Sequence, residues 1–287
     1  MQVTPKPQFT VKFWGVRGSI PTPGPSTLRY GGNTVCLEVR MGDAIMAVDA
    51  GSGAREMSRA LVEEHAGKPI AVTFLFSHMH SDHIGGFPFF SPIYDPRTRI
   101  HIVADGTKSV GTRDALIRQM SFPLFPIEFD AIGAELTFQD IAPGDSFVLG
   151  PAKISTCNLL HPGGALAYRI DFGGRSYVHM SDVEHETEVP DPTLVALCKD
   201  ADYLTYDSMY IEGVDYEAHR GWGHSSWQAG TRLADAANVG TLIAIHHAPE
   251  HDDEMMDRIA AQLEKARPGS VVAIEGTTLD VHTGVFQ

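Results

Sequence analysis

Residues 77–86 read SHMHSDHIGG and follow directly on the apolar run Ala71-Val72-Thr73-Phe74-Leu75-Phe76. Three histidines and an aspartate crowded into six positions constrain this chain more than any other feature. The apolar run reads as a buried strand, so the polar group falls on the loop leaving the strand's end, where a rigid scaffold can aim it. The chain holds 14 histidines in 287 residues, and at that frequency a specified H-x-H-x-D-H pattern arises by accident in on the order of a few per thousand chains of this length. The stretch is a metal nest or a polar loop rich in histidine. Ligands elsewhere in the chain decide between the two.

In an extended stretch, side chains two apart point the same way, so His78 and His80 can share one ion, while Asp82 and His83 serve a second. Other strand ends offer His161 in LLHPGG, Asp182 in HMSDVE and His246 in AIHHAPEHDD. A carboxylate at Asp182 could bridge two ions and leave an open position for a shared water or hydroxide. Imidazole and carboxylate ligands suit two divalent ions, zinc foremost, with manganese or iron as alternatives.

Short β-rich runs alternate with helical patterns, which makes this an α/β chain. Strands are expected at 9–14, 35–40, 44–48, 70–76, 99–103, 153–158, 165–170, 176–179, 203–206, 241–245 and 271–274, and helices at 54–65, 108–120, 225–238 and 252–266. There is no internal repeat and no convincing linker, so residues 1–287 read as one domain, near the upper size for a single core. The Pro-rich stretch 87–96, FPFFSPIYDP, reads as a loop beside the site.

Cys36, Cys157 and Cys198 lie far apart and read as buried small hydrophobes rather than a disulfide framework. No segment is long and apolar enough to span a membrane, and the opening MQVTPKPQFTVKFW shows no secretory signal, so the cytoplasm is the expected location. The formal net charge of −14, with no basic cluster, repels a phosphate backbone and disfavours long nucleic acids as partners. A small-molecule substrate is expected.

The sequence resembles the metallo-β-lactamase superfamily, and within it the branch of ribonuclease Z and related phosphodiesterases. The resemblance runs through five blocks in order: FWGVRGSIPTPGPSTLRYGGNTVCLEV, FLFSHMHSDHIGGFPFF, HPGGALAYRI, YVHMSDVE and GHSSWQAGTRLADAANVGTLIAIHHAP. It implies an αββα sandwich of two mixed β-sheets flanked by helices, with a binuclear centre at one edge. Carried over, it puts His78, His80 and His161 on one metal, Asp82, His83 and His246 on the other, and Asp182 between them, matching the assignment from the residues; His247 falls on a non-ligand position.

The resemblance further implies that Asp49, in VDAGSG, orients a ligand histidine, although a turn-forming Asp before glycine explains it equally well. It implies that His224, in GWGHSSWQ just before a helix capped by Ser225 or Ser226, handles the phosphate or the departing oxygen. Asp207, in YLTYDSMY, stands where ribonuclease Z enzymes carry a glutamate and is expected to steer His224. That departure, with no long basic arm evident, argues against transfer RNA precursors as substrate. His65, His101 and His282 read as ordinary residues, and His179, His185, His219 and His251 as neighbours of the site.

The expected activity is therefore that of a di-metal hydrolase, foremost a phosphodiesterase acting on a small phosphodiester or cyclic nucleotide, with Asp82, His224 and Asp207 as the residues carrying the chemistry beside the ligand set. Lactone, ester or thioester hydrolysis at the same centre stays open, as does a non-catalytic metal-binding domain. Dimers are common in the relatives, and the apolar loop around Phe87, Phe89 and Phe90 could serve a second copy or form a substrate lip.

Overall fold

A computed structural model describes residues 8–287. Half of the N-terminal stretch read for a secretory signal, residues 1–7, lies outside the described residues. Six strands build the first half: β1 (Phe9–Gly15), β2 (Cys36–Met41), β3 (Ala44–Val48), β4 (Ala71–Leu75), β5 (Arg99–Asp105) and β6 (Glu135–Ile141). Eight more follow: β7 (Ser146–Leu149), β8 (Ala152–Leu159), β9 (Ala165–Phe172), β10 (Arg175–Met180), β11 (Tyr203–Asp207), β12 (Thr241–Ile245), β13 (Val271–Val272) and β14 (Thr278–Asp280). Two seven-stranded sheets result, in the orders β14-β1-β2-β3-β4-β5-β6 and β13-β12-β11-β10-β9-β8-β7.

Both sheets are mixed. In the first, β3 through β6 run parallel and β14, β1, β2 and β3 antiparallel; in the second, β10 through β13 run parallel and β7 through β10 antiparallel. Three apolar seams define the layers. Between the sheets, Phe13, Leu37 and Val48 of the first pack with Tyr168, Tyr177 and Ile243 of the second. Helix α1 (Ala54–His65) covers the outer face of the first sheet, where Phe87 and Phe90 meet Phe74 edge to face, while α4 (Pro192–Cys198), α5 (Trp227–Ala236) and α6 (Asp253–Ala266) cover the second. This is the αββα sandwich that the sequence resembles.

Local chemistry sets the helices. In α1 the buried residues Ala54, Met57, Ser58 and Leu61 fall at helical spacing. Ser226 starts α5 by accepting a hydrogen bond from the Ala229 N–H, and Asp252 starts α6 by accepting one from Met255. Remaining are α2 (Ser81–Ile84) and α3 (Thr112–Gln119), which begins four residues later than its pattern suggests because Gly111 is its N-cap. The stretch 87–96, expected as loop, holds two short 3₁₀ turns, and it buries Phe87 and Phe90 in the core; Phe89 alone of the three is exposed. Cys36, Cys157 and Cys198 are buried free thiols. No helix among the described residues is long and apolar enough to cross a membrane.

Candidate metal centre

Parallel strands of both sheets end at one edge of the sandwich, and the ligand-type residues sit just past those ends. Asp49 follows β3, residues 78–83 follow β4, Asp182 follows β10, Asp207 closes β11 and His246 follows β12; His161 follows β8. Two cross-links hold the sheets together there, from Tyr168 Oη to the Phe76 carbonyl (2.7 Å) and from the Leu166 N–H to the Ser77 carbonyl. Asp49, Asp182 and His246 adopt left-handed backbone, with φ of 58°, 61° and 64°. Strain of that kind in residues other than glycine persists where surrounding structure enforces it.

The seven residues expected as ligands gather into two clusters. His78, His80 and His161 form one; Asp82, His83, Asp182 and His246 form the other; within each, one ligand atom per residue lies within 4.8 Å of the rest. Outer contacts fix the rings. His83 Nδ1 donates to Asp49 Oδ2 (2.8 Å), and His161 Nδ1 to the Gly223 carbonyl (2.8 Å). Ser77 Oγ donates to Asp49 Oδ2 (2.7 Å) and so accepts from His78 Nδ1 (3.0 Å). Asp49 therefore orients His83 directly and His78 through Ser77, the kind of outer support that ligating imidazoles have. Gly223 has φ of 88°, and a Cβ there would stand 2.4 Å from His161 Nδ1, so only glycine brings its carbonyl onto the ring.

With Nδ1 committed in His78, His83 and His161, those rings turn the Nε2 lone pair toward the centre. His161 Nε2 faces His80 Nδ1 at 3.0 Å, and His246 Nε2 faces His83 Nε2 at 3.3 Å, while His78 Nε2 is buried with no hydrogen-bond partner. Convergent lone pairs beside carboxylates are the donor set of a cation site. The residues fit divalent metal ions. Asp182 lies between the clusters: Oδ1 is 3.9 Å from His78 Nε2 and 3.8 Å from His161 Nε2, and Oδ2 is 3.1 Å from His83 Nε2 and 3.3 Å from His246 Nε2.

The electrostatics of the two clusters differ in sign. Burial, reinforced by neighbouring imidazoles, pushes the pKa of His78 well down and lowers His161, and burial likewise lowers His80. In the second cluster burial is outweighed by carboxylates, so His83 is raised well above the usual value by Asp182, Asp82 and Asp49, and His246 is pushed up to about 9, mainly by Asp182. Asp82 and Asp182 are held far below the usual carboxylate range because the adjacent imidazoles outweigh the effect of burial. The Ser19 N–H also donates to Asp82 Oδ2 at 2.8 Å.

A third grouping, Asp182, Asp207, His224 and His246, shares the same space. Asp207 is saturated, however. Its Oδ2 accepts from the Asp182 N–H (2.9 Å) and from His224 Nδ1 (3.0 Å), and its Oδ1 from the N–H groups of Met209 (3.1 Å) and Ser225 (3.3 Å). Four donors leave it the role of orienting His224, whose Nε2 has no hydrogen-bond partner among the described residues. The other nearby histidines turn away: His247 donates to the Ala273 carbonyl, His219 to the Asp215 carbonyl and His251 to the Asp215 carboxylate, while His179 pairs with Thr205 and His185 with Tyr206. Sequence reasoning missed Ser77, the Gly223 carbonyl and the Ser19 N–H. Only Ser77 carried a signal, its place between Asp49's strand register and His78.

Comparison with known proteins bears on this centre. A family model described as a β-lactamase superfamily domain matches residues 46–247. Ribonuclease Z of Exiguobacterium sp. is 22% identical over 255 residues, which span 72% of this chain and 81% of that relative. Among solved structures, the metallo-β-lactamase fold protein YhfI of Bacillus subtilis superposes with a TM-score of 0.71 at 17% identity, covering 95% of this chain and 99% of that one. A diphosphatase of the PhnP family superposes with a TM-score of 0.68 at 16% identity, covering 95% and 96%.

Proposed function

This chain belongs to the β-lactamase superfamily, and from that premise we propose that it is a metal-dependent hydrolase of small phosphodiesters, cyclic nucleotides among them. The observation that carries the reading is the Asp182 carboxylate, with one oxygen turned to His78 and His161 and the other to His83 and His246. His78, His80 and His161 would hold one ion; Asp82, His83 and His246 would hold the other; Asp182 would serve both. Divalent ions so bound supply Lewis-acid polarisation of the phosphoryl group and activation of water near neutral pH.

The chain's own part is to orient and to move a proton. Asp207 holds His224 Nδ1 at 3.0 Å, which fixes the ring and leaves Nε2 as the atom that delivers a proton to the departing oxygen. Buried Asp49 keeps the Nε2 lone pairs of His83 and His78 aimed inward. Relatives named ribonuclease Z and diphosphatase favour phosphorus as the centre attacked, and a net charge of −14 favours a short substrate over a long polymer.

The test is metal content by elemental analysis together with hydrolysis of bis(p-nitrophenyl) phosphate, for wild type and His80→Ala. The reading expects about two ions per wild-type chain and activity that disappears in the variant. Ions without turnover would discard the phosphodiester and make lactones and thioesters the next substrates.

A further inference from the structure

A cavity of about 380 Å³ opens against the first histidine cluster, with His78 and His80 in its wall and an apolar lining that includes Phe76, Ile84 and Ala115. Two cations, Lys108 and Arg118, also line it. Neither has a part in the chemistry proposed above. Lys108 sits on the loop between β5 and α3, and that loop is tied down: Asp105 Oδ1 accepts from both the N–H and the hydroxyl of Thr107, and Asp105 Oδ2 lies 3.2 Å from the Lys108 ammonium. The ammonium reaches across to the loop carrying His161. A Cβ on Gly164, whose φ is +75°, would stand 2.3 Å from Lys108 Nζ, so the cation rests directly on that backbone. Arg118, on the last turn of α3, has no carboxylate partner among the described residues. One buried carboxylate against two cations leaves the cavity net positive in an acidic protein.

We infer that this cavity binds a second anionic group of the substrate, a phosphate or carboxylate joined to the scissile diester through a short apolar body, with Lys108 and Arg118 as its specificity-determining pair. The inference rests on the reading of the centre as a phosphodiester site. The volume suits a body the size of a sugar or a phenyl ring. The apolar lining takes that body, and the two cations supply charge-assisted hydrogen bonds to its anionic end. Such contacts discriminate, because only a substrate that carries the anion makes the charge-assisted bonds to Lys108 and Arg118.

Two chromogenic diesters of equal length test this on the metal-loaded protein: p-nitrophenyl butyl phosphate and p-nitrophenyl 3-carboxypropyl phosphate. Wild type is expected to prefer the carboxylated ester. Lys108→Gln and Arg118→Gln should each raise KM for it by about 10- to 100-fold, leave kcat and the butyl ester within about twofold, and Lys108→Arg should restore most of the loss. Lys108 is 34% exposed and Arg118 is exposed, so these variants are expected to keep the wild-type thermal midpoint. Equal losses on both esters, or no preference in wild type, would overturn the inference. If wild type cleaves neither ester, the phosphodiester reading fails separately, and calorimetric binding of phenylphosphonate judges the cavity: weaker binding in both Gln variants supports it, and unchanged binding overturns it.

Discussion

The two ligand clusters share Asp182 and lie side by side, yet they are built on opposite principles. The first is three imidazoles, with His80 exposed and bordering a cavity, and burial lowers the basicity of each. The second brings two carboxylates onto two fully buried imidazoles, and those carboxylates raise His83, with Asp49 behind it, and His246, with Asp207 behind it. A buried field that draws protons onto imidazoles is a field that calls for a cation. The second cluster should therefore hold its ion more tightly, and the first, open on one side, should be the one that meets substrate.

The sharpest way to break this comparison is to remove what the clusters share. Asp182→Asn keeps the shape but removes the charge facing both, and hydrolysis of a phosphodiester is expected to fall on the order of a thousandfold or more, about 4 kcal/mol of transition-state stabilisation, with metal content below two per chain. Next comes the proton. His224→Ala should lower kcat by about 10²- to 10³-fold with metal content unchanged, and the loss should shrink with p-nitrophenol as leaving group, which departs without a proton. An equal loss for good and poor leaving groups would place His224 in positioning instead. Asp49→Asn should weaken the second cluster's ion by about 10- to 100-fold in chelator competition, and the first cluster's by less, since Asp49 reaches His78 only through Ser77.

How much of this the sequence discloses follows the same division. Residues expected to act through their side chains stand out by type and spacing, and the fold brings together all seven candidate ligand positions and the Asp207–His224 pair. What stays hidden is done by backbone or depends on tertiary approach: the Gly223 carbonyl behind His161, the Ser19 N–H on Asp82, and Lys108 folded onto the loop of residue 164. Among elements, β3, α1 and β12 coincide with their patterns because alternation, helical spacing and flanking glycines agree there. Strands β6 and β7 escape notice because they are partly exposed edge strands paired on one side only, and β14 because it is three residues long. Helix α4 had a signal that reasoning passed over, Asp191 as cap followed by Pro192 at the first helical position.

The smallest expected effect separates the second cluster's field from the packing that surrounds it, using two neighbours. His246 is pushed up to about 9, and His247, one residue on, is pushed down to about 3 by burial, with the Ala273 carbonyl as its hydrogen-bond acceptor. His179, buried beside Thr205, is likewise pushed down to about 4. A buried histidine that stays neutral in the folded chain but charges near pH 6.5 when unfolded makes the unfolded state bind more protons below that pH. Its contribution is fully present above pH 6.5 and is lost as the pH falls toward the folded value. For His247 that amounts to at most about 2 kcal/mol by pH 5. His247→Gln keeps an N–H for the Ala273 carbonyl and removes the titration, so its denaturant midpoint should fall less steeply than wild type between pH 6.5 and 5, while metal content at pH 7.5 stays the same. An acid limb as steep as wild type would mean that the protons responsible bind within the carboxylate cluster itself.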